Sequence, residues 1–419
     1  MAPALSSVPP AISIVMPTLN QGDFIAASVR SVLTQPVDLL ELVVADGGSD
    51  DSTLSTLAAL GAEFPGRLRW LSSSDSGPAA AVNRAVQIAR APIIGWLNSD
   101  DLYSPGAVAR ALAHFERHDA DVMVYGHGDH IDLYGARIDT YPTRLPSTPI
   151  SQFSDGCFIC QPTAFFRRDS FLTLGGLDEQ LRAAFDFDLW LRYFKAHRGR
   201  IGFIDAVQAL SRLHEGGITL RFRERVAREG IAVVSRHLGA APAHWLLTHF
   251  DELCRQHPFH AEPIDLRERF SRLVGDMSGA VDSAGVDELH TRMAEDRRLR
   301  LATPDFMATV SADGWAGESF ELRLRQPARP WRAIRLGGVN VAGGQLRLVF
   351  SSPAGAQQIF VVEGAGEFVV ELPLNDARPG DRLVYRVLCP DTFVPAEREF
   401  GSTDMRRLAF RLENCELVL

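Results

Sequence analysis

No uninterrupted apolar run in the sequence approaches the roughly 18 residues that a membrane-spanning helix requires. The opening MAPALSSVPPAISIVMP has no basic stretch ahead of its apolar residues, so no secretory leader is expected. These two absences predict a soluble cytoplasmic protein, with any membrane association peripheral and at the inner face. Cysteine is scarce: the five (Cys157, Cys160, Cys254, Cys389, Cys415) are odd in number and scattered, which suits a reducing compartment better than a disulfide framework. Cys157 and Cys160 form a lone C-x-x-C with no second pair to complete a zinc site, and are read as core thiols. Basic charge is short as well. Lys and Arg number 43 against 52 Asp and Glu, a formal charge of -9, which argues against a general nucleic-acid binder. An anionic substrate would then need a local counter-charge such as a metal ion. No G-x-G-x-x-G follows the first apolar run, which counts against a dehydrogenase or methyltransferase on a doubly wound sheet.

What is present is the composition of an ordinary globular protein, 46% hydrophobic and 23% charged. At 419 residues the chain has room for two or three domains, because single cores stop growing at about 250–300 residues. The first hundred residues alternate strand-like and helix-like patterns: ISIVMP (12–17), DFIAASVRSVLTQ (23–35), LLELVVADGG (39–48), then DSTLSTLAALG (51–61), a helix closed by glycine. RLRWLSS, GPAAAVNRAVQIARA and PIIGWLN continue the series as strand, helix and strand. Such alternation predicts an α/β fold, a mostly parallel sheet flanked by helices, with ligands bound beyond the carboxyl ends of the strands. Those ends carry Thr18-Leu19-Asn20, Asp46-Gly47-Gly48-Ser49, Asp75-Ser76-Gly77 and Asn98-Ser99-Asp100-Asp101.

Beyond residue 120 the pattern is mixed, with a strand at 121–125, a hairpin around Asp132 to Arg137, a strand at TAFFRR and an amphipathic helix from near Asp186. Residues 221–302 read as a helical segment rich in charge. From 303 to 419, short alternating runs punctuated by Gly and Pro predict a β-sandwich. Three parts are expected: 1–220, 221–302 and 303–419.

GWLNSDDLYSPG (95–106) drives an apolar strand into two adjacent carboxylates, Asp100 and Asp101. Like charges repel, so the pair calls for a cap role, for water or for a cation. Four stretches in order, SIVMPTLNQGDFIAASVRSVLTQ, ELVVADGGSDDST, DSGPAAAVNRAVQIARAPIIGWLNSDD and GGLDEQLRAAFDFDLWLR, resemble the inverting family 2 glycosyltransferases with the GT-A fold. The resemblance covers about residues 11 to 220. It implies transfer of a sugar from a nucleotide-diphosphate sugar donor to an acceptor hydroxyl on a glycan, lipid-linked or other molecule, in cell-surface polysaccharide or glycan biosynthesis.

The same resemblance implies roles residue by residue. Asp100 matches the DxD-type ligand of a divalent cation, Mg²⁺ or Mn²⁺, on the donor diphosphate, while Asn98 stands where a first Asp is frequent. His214 resembles a late histidine that assists the metal or the diphosphate. Asp46 matches the carboxylate that recognises the base, within a nucleotide pocket that includes Pro17, Thr18, Asn20, Asp75 and Asn83. Arg84 is either a phosphate contact or a solvated helix arginine. Asp186 matches the general base, and Asp188 is read as a cap or structural partner. Gln161 sits on the acceptor side. Two readings from other classes stay open: a non-catalytic nucleotide-sugar binder, which would keep Asp46 and Asp100 but need no base, and a glycan-binding module using Trp315, Trp331 and Phe350. Those three aromatics also suit core packing. An oligomer is compatible with everything above.

Overall fold

The protein is described from a computed structural model covering residues 9–214, 216–217, 221–374, 377–398 and 401–419. Chain contacts divide it into two compact units, residues 1–241 and 242–419. The helical segment read at 221–302 is shared between them, Arg223–Leu238 in the first unit and the later helices in the second.

The first unit runs β1 (Ile12–Thr18), α1 (Ile25–Leu33), β2 (Leu40–Asp46), α2 (Thr53–Glu63), β3 (Leu68–Ser72), α3 (Pro78–Ile88), β4 (Ile93–Trp96), β5 (Leu102–Tyr103) and α4 (Ala107–Arg117). It continues with β6 (Met123–Ile131), β7 (Arg137–Thr140), β8 (Phe165–Arg167), α5 (Arg168–Thr173), α6 (Phe185–Ala196), β9 (Ile201–Arg212) and α7 (Arg223–Leu238). The nine strands form one mixed sheet in the order β3-β2-β1-β4-β8-β6-β9-β5, with β7 paired to β6. β3, β2, β1 and β4 are parallel, and β1, β2 and β4 are buried along their whole length, as strands covered on both faces are. Ile12, Ile14 and Met16 share a core with α1, α2 and α4. The alternate position Ser13 points the other way, where its hydroxyl meets the chain leaving α3 at Ala91.

Two local differences from the sequence reading have physical causes. α2 does not stop at Gly61 but runs through it to Glu63, and a Cβ there would sit 3.0 Å from the Trp70 ring. That glycine permits close packing of helix on strand rather than ending the helix. α6 is not amphipathic: Phe185, Phe187, Leu189, Trp190, Leu191, Tyr193 and Phe194 are all buried, so it is an internal helix.

In the second unit three helices begin on an aspartate whose carboxylate accepts a free N–H of the first turn: Asp265 from Glu268, Asp282 from Gly285 and Asp296 from Arg298. Nine further strands follow, β10 (Phe306–Ala308), β11 (Trp315–Ala316), β12 (Ser319–Arg325), β13 (Ala333–Asn340), β14 (Leu346–Ser351), β15 (Gln357–Val362), β16 (Gly366–Pro373), β17 (Arg382–Leu388) and β18 (Phe410–Val418). They make two antiparallel sheets, β10-β12-β17-β14-β15 and β11-β18-β13-β16. Alternation sets the inner faces: Phe320, Leu322 and Leu324 of β12 meet Ile334 and Leu336 of β13 in one core. Phe350 is buried in that core, stacked on Tyr385 at 5.1 Å, and Trp331 packs against it. Both therefore serve packing. Trp315 meets Phe393 edge-on.

Candidate functional site

The parallel register aligns Thr18 with Asp46 and Asp46 with Ser72, so the carboxyl ends of β1, β2 and β3 finish at one edge. Pro17, Thr18, Asp75, Asn98, Asp100 and His214 line a single cleft there, together with the β9 end at Ser211 to Leu213. Asn20, Asp46, Asn83, Arg84, Gln161 and Asp186 do not line it. At the mouth of α3, Gly77 has φ +129°, a conformation open to glycine, and donates its N–H to Asp75.

Asp46 is fully buried and its carboxylate is spent inside the protein. It accepts the Ser49 and Ser72 hydroxyls and the N–H groups of Gly48 and Ser49. Burial alone would raise its pKa; these bonds, led by those from the two hydroxyls, outweigh it and hold the carboxyl below its ordinary value. A carboxylate so occupied shapes the 46–49 turn and presents no free oxygen to a base. Asn20 acts on the same turn, with φ +52°, accepting the Asp50 N–H at its side chain and donating its own N–H to Ser49. Asn83 faces away from the cleft, binding Leu177 through both polar atoms of its amide and Glu179 through Nδ2. Arg84 reaches Ser73, the Asp46 carbonyl and the Asp75 carboxylate, 3.4 Å away. Of these carboxylates, the one that faces the cleft is thus Asp75, steadied by Arg84.

On the other side of the cleft the two adjacent acids part company. Asp101 is buried; its Oδ1 accepts the Arg212 N–H at 2.8 Å and its Oδ2 the Asn98 amide at 3.2 Å. Burial, then the neighbouring charge of Asp100, pushes its pKa well above the carboxylate range. Asp100 turns into the cleft, where its Oδ2 lies 3.0 Å from His214 Nε2. The His214 ring rests against Phe24 at 5.0 Å. β9 and β4 bring these two together although 114 residues separate them.

Beyond Asn98 a short relay leads toward Gln161 and the start of α6. Asn98 donates its amide to Gln161 at 2.8 Å and accepts the Trp96 indole N–H at 3.1 Å, while Gln161 donates to the Trp96 carbonyl. Trp96 stacks on Phe185 at 5.8 Å, and Asp186 is the next residue, in the first turn of α6. Asp186 is half-buried and accepts the Phe187 N–H, and burial pushes its pKa up to about 6. Asp188 is engaged instead in an ion cluster, 2.8 Å from both Arg192 Nε and His237 Nε2. There burial is outweighed by those partners, and its pKa falls below the ordinary value.

Residues 13–175 match the family described as glycosyl transferase family 2. This segment is a family 2 glycosyltransferase domain. The chain is 32% identical over 184 residues to a chondroitin synthase of Escherichia coli, covering 44% of this chain and 26% of that one. An uncharacterized glycosyltransferase of Rickettsia prowazekii is 27% identical over 222 residues, covering 50% of this chain and 66% of the other. The chain therefore spans between a quarter and two thirds of the length of these relatives. Among solved structures, that of S. aureus TarS covers 96% of this chain and 85% of its own at 13% identity, with a TM-score of 0.48.

The glycosyltransferase domain has the GT-A arrangement: a mixed sheet flanked by helices, its cleft beyond the carboxyl ends of the parallel strands. Two residues of the site were not legible in the sequence. Arg212 donates to the carbonyls of Asp100, Asp132 and Leu133 and lies over the Phe24 ring at 5.2 Å, tying the Asp100 turn to the β6–β7 hairpin. Its only signal is position, two residues before His214. Trp96 reads in the sequence as one more apolar strand residue, yet it joins Asn98 of the cleft to Phe185 at the start of α6. Among the described residues no helix is long and apolar enough to cross a membrane.

Proposed function

We propose that this chain transfers a glycosyl unit from a nucleoside-diphosphate sugar to an acceptor hydroxyl with inversion, in polysaccharide or glycan assembly on the cytoplasmic side of the membrane. The observation that carries the reading is Asp186: a half-buried carboxyl with its pKa near 6, one ring stack beyond the cleft in which Asp100 meets His214. A general base works best with a pKa close to the operating pH. Asp186 takes the proton of the acceptor hydroxyl as that oxygen bonds to the anomeric carbon. The bond from that carbon to the diphosphate breaks, and the diphosphate leaves with the electron pair. Asp75 and the turn built on Asp46 and Asn20 flank the nucleoside, and Gln161 with Trp96 shapes the passage between donor and acceptor.

The cleft's donors suit Mg²⁺ or Mn²⁺ only in company with substrate. Asp100 and His214 supply two ligands, and among the described residues no group of three or more His, Cys, Asp or Glu is arranged to hold a metal. Mg²⁺ is commonly held by one or two carboxylates plus substrate phosphates, which matches this set. Such a cation would offset the charge that builds on the leaving diphosphate. Asp101, buried beside Asp100, is committed to Arg212 and Asn98. In calorimetry with a panel of UDP- and GDP-sugars, with and without Mn²⁺, Asp100→Ala is expected to lose the Mn²⁺-dependent part of donor affinity. Equal metal dependence in variant and parent rejects the assignment of Asp100.

A further inference from the structure

α6 starts without a capping side chain of its own: the residue before it is Ala184, which has none to offer. The first amides of a helix lack intrahelical partners, and burying them unpaired is costly. The amides just ahead of them, in the turn that leads into α6, are held from a distance. The Glu229 carboxylate, on α7, accepts the Arg182 N–H at 3.0 and 2.9 Å, the Ala183 N–H at 2.7 Å and the Ala184 N–H at 3.0 Å. An anion at a helix N-terminus is favoured by the helix dipole, and charged acceptors make the stronger hydrogen bonds. Two turns further along α7, at the spacing that returns to the same face, Arg236 reaches Asp178 and His237 reaches Asp188. Lys195, near the end of α6, donates to the His237 carbonyl at 2.7 Å. α7 therefore grips both the turn that launches α6 and the flank of α6 itself. Asp186 is the second residue of that helix, and Phe185 beside it stacks on Trp96.

We infer that Glu229 is a positioning residue for glycosyl transfer: by holding the amides of residues 182–184 it fixes where α6 begins and so where Asp186 meets the acceptor. This rests on the reading of Asp186 as the base. Glu229 lies outside the cleft lining, so its effect belongs on turnover and not on donor binding. Misplacing a catalytic group by an ångström costs up to about 10²-fold in rate.

The test uses the full chain and release of nucleoside diphosphate from UDP-glucose, UDP-N-acetylglucosamine and GDP-mannose, with water as acceptor. The sugar the parent turns over fastest is carried into kinetics of Glu229→Ala, Glu229→Gln and Asp186→Asn. Glu229→Ala is expected to lower kcat about 10–100-fold with donor KM within about twofold, and Glu229→Gln, which keeps an oxygen acceptor, to recover most of the loss. Should the alanine variant not fold, Glu229→Asp, one methylene shorter, draws the turn away and is expected to show the same loss confined to kcat. Parental kcat in the folded alanine or aspartate variant, with Asp186→Asn dead, overturns the role of Glu229 alone. Parental turnover in Asp186→Asn overturns the base assignment beneath it, and a parent that hydrolyses none of the three sugars overturns both. A loss shared equally between kcat and KM, not rescued by glutamine, marks Glu229 as merely structural.

Discussion

Asp186 and Asp188 show how two carboxylates two residues apart reach opposite states. Burial raises Asp186 from the ordinary 3.8 to about 6, so the folded protein holds that proton more tightly than the unfolded chain does between those values. Stability tied to this group is present at low pH and is lost as the pH rises through that window, while the ionised carboxylate that the proposed base role needs becomes available only above it. Transfer should therefore rise with pH through about 6 and then level. Asp186→Asn should lower turnover by about 10²–10⁴-fold with donor affinity kept, and at pH 7.5 it should be more stable than the parent by about 1–3 kcal/mol. Turnover against pH and thermal melts of both proteins check this, and a variant that is both active and less stable rejects it. Asp188 has the opposite sign. Its folded pKa is depressed by burial-defying bonds to His237 and Arg192, so its contribution is present at neutral pH and lost as the pH falls through that lowered value. The motif spelled FDFD was legible in the sequence, but the division of labour within it was not, because each acid's state depends on partners on other elements.

Arg212 joins elements rather than residues. Its guanidinium closes three carbonyls, one from the Asp100 turn and two from the tip of the β6–β7 hairpin. Hydrogen bonds from charged donors are worth about 1.5–3 kcal/mol each in favourable settings. Arg212→Ala is expected to loosen the hairpin tip, seen as faster amide hydrogen exchange at residues 133–136, and to weaken Mn²⁺-dependent donor binding, since the turn bearing Asp100 loses its brace. Unchanged exchange at the tip rejects the brace. The hairpin itself was foreseen from Asp132 to Arg137, where the Asp132 carboxylate does accept the N–H groups of Tyr134 and Ala136. Its tether to β9 was not, for the arginine that supplies it lies some 80 residues away.

The whole chain is two compact units, and the chemistry proposed here needs only the first. Every candidate site residue from Pro17 to His214 and the helix that grips α6 fall within residues 1–241. The second unit builds its own core from β12, β13 and their partners, with aromatics such as Phe350 turned inward. A fragment ending at Ala241 is expected to melt cooperatively and to retain donor hydrolysis within about tenfold of the full chain, any larger deficit appearing in acceptor use. A folded fragment that hydrolyses no donor shows that the second unit takes part in the chemistry. The cut belongs at 241 and not near 300, because the helices from 244 onward share a compact unit with the two C-terminal sheets.

Local chemistry alone determined the order of strands and helices in the first unit, and with it the edge to which Thr18, Asp75, Asn98 and Asp100 come. Apolar periodicity and turn residues act over a few positions, so they can be read from the chain directly. Tertiary structure decided what each polar group does on arrival. It turned Asp46 and Asn83 inward, set His214 against Asp100 and aimed Glu229 at the start of α6. These outcomes depend on desolvation and on partners up to 114 residues apart, quantities that exist only once the sheet has closed around them.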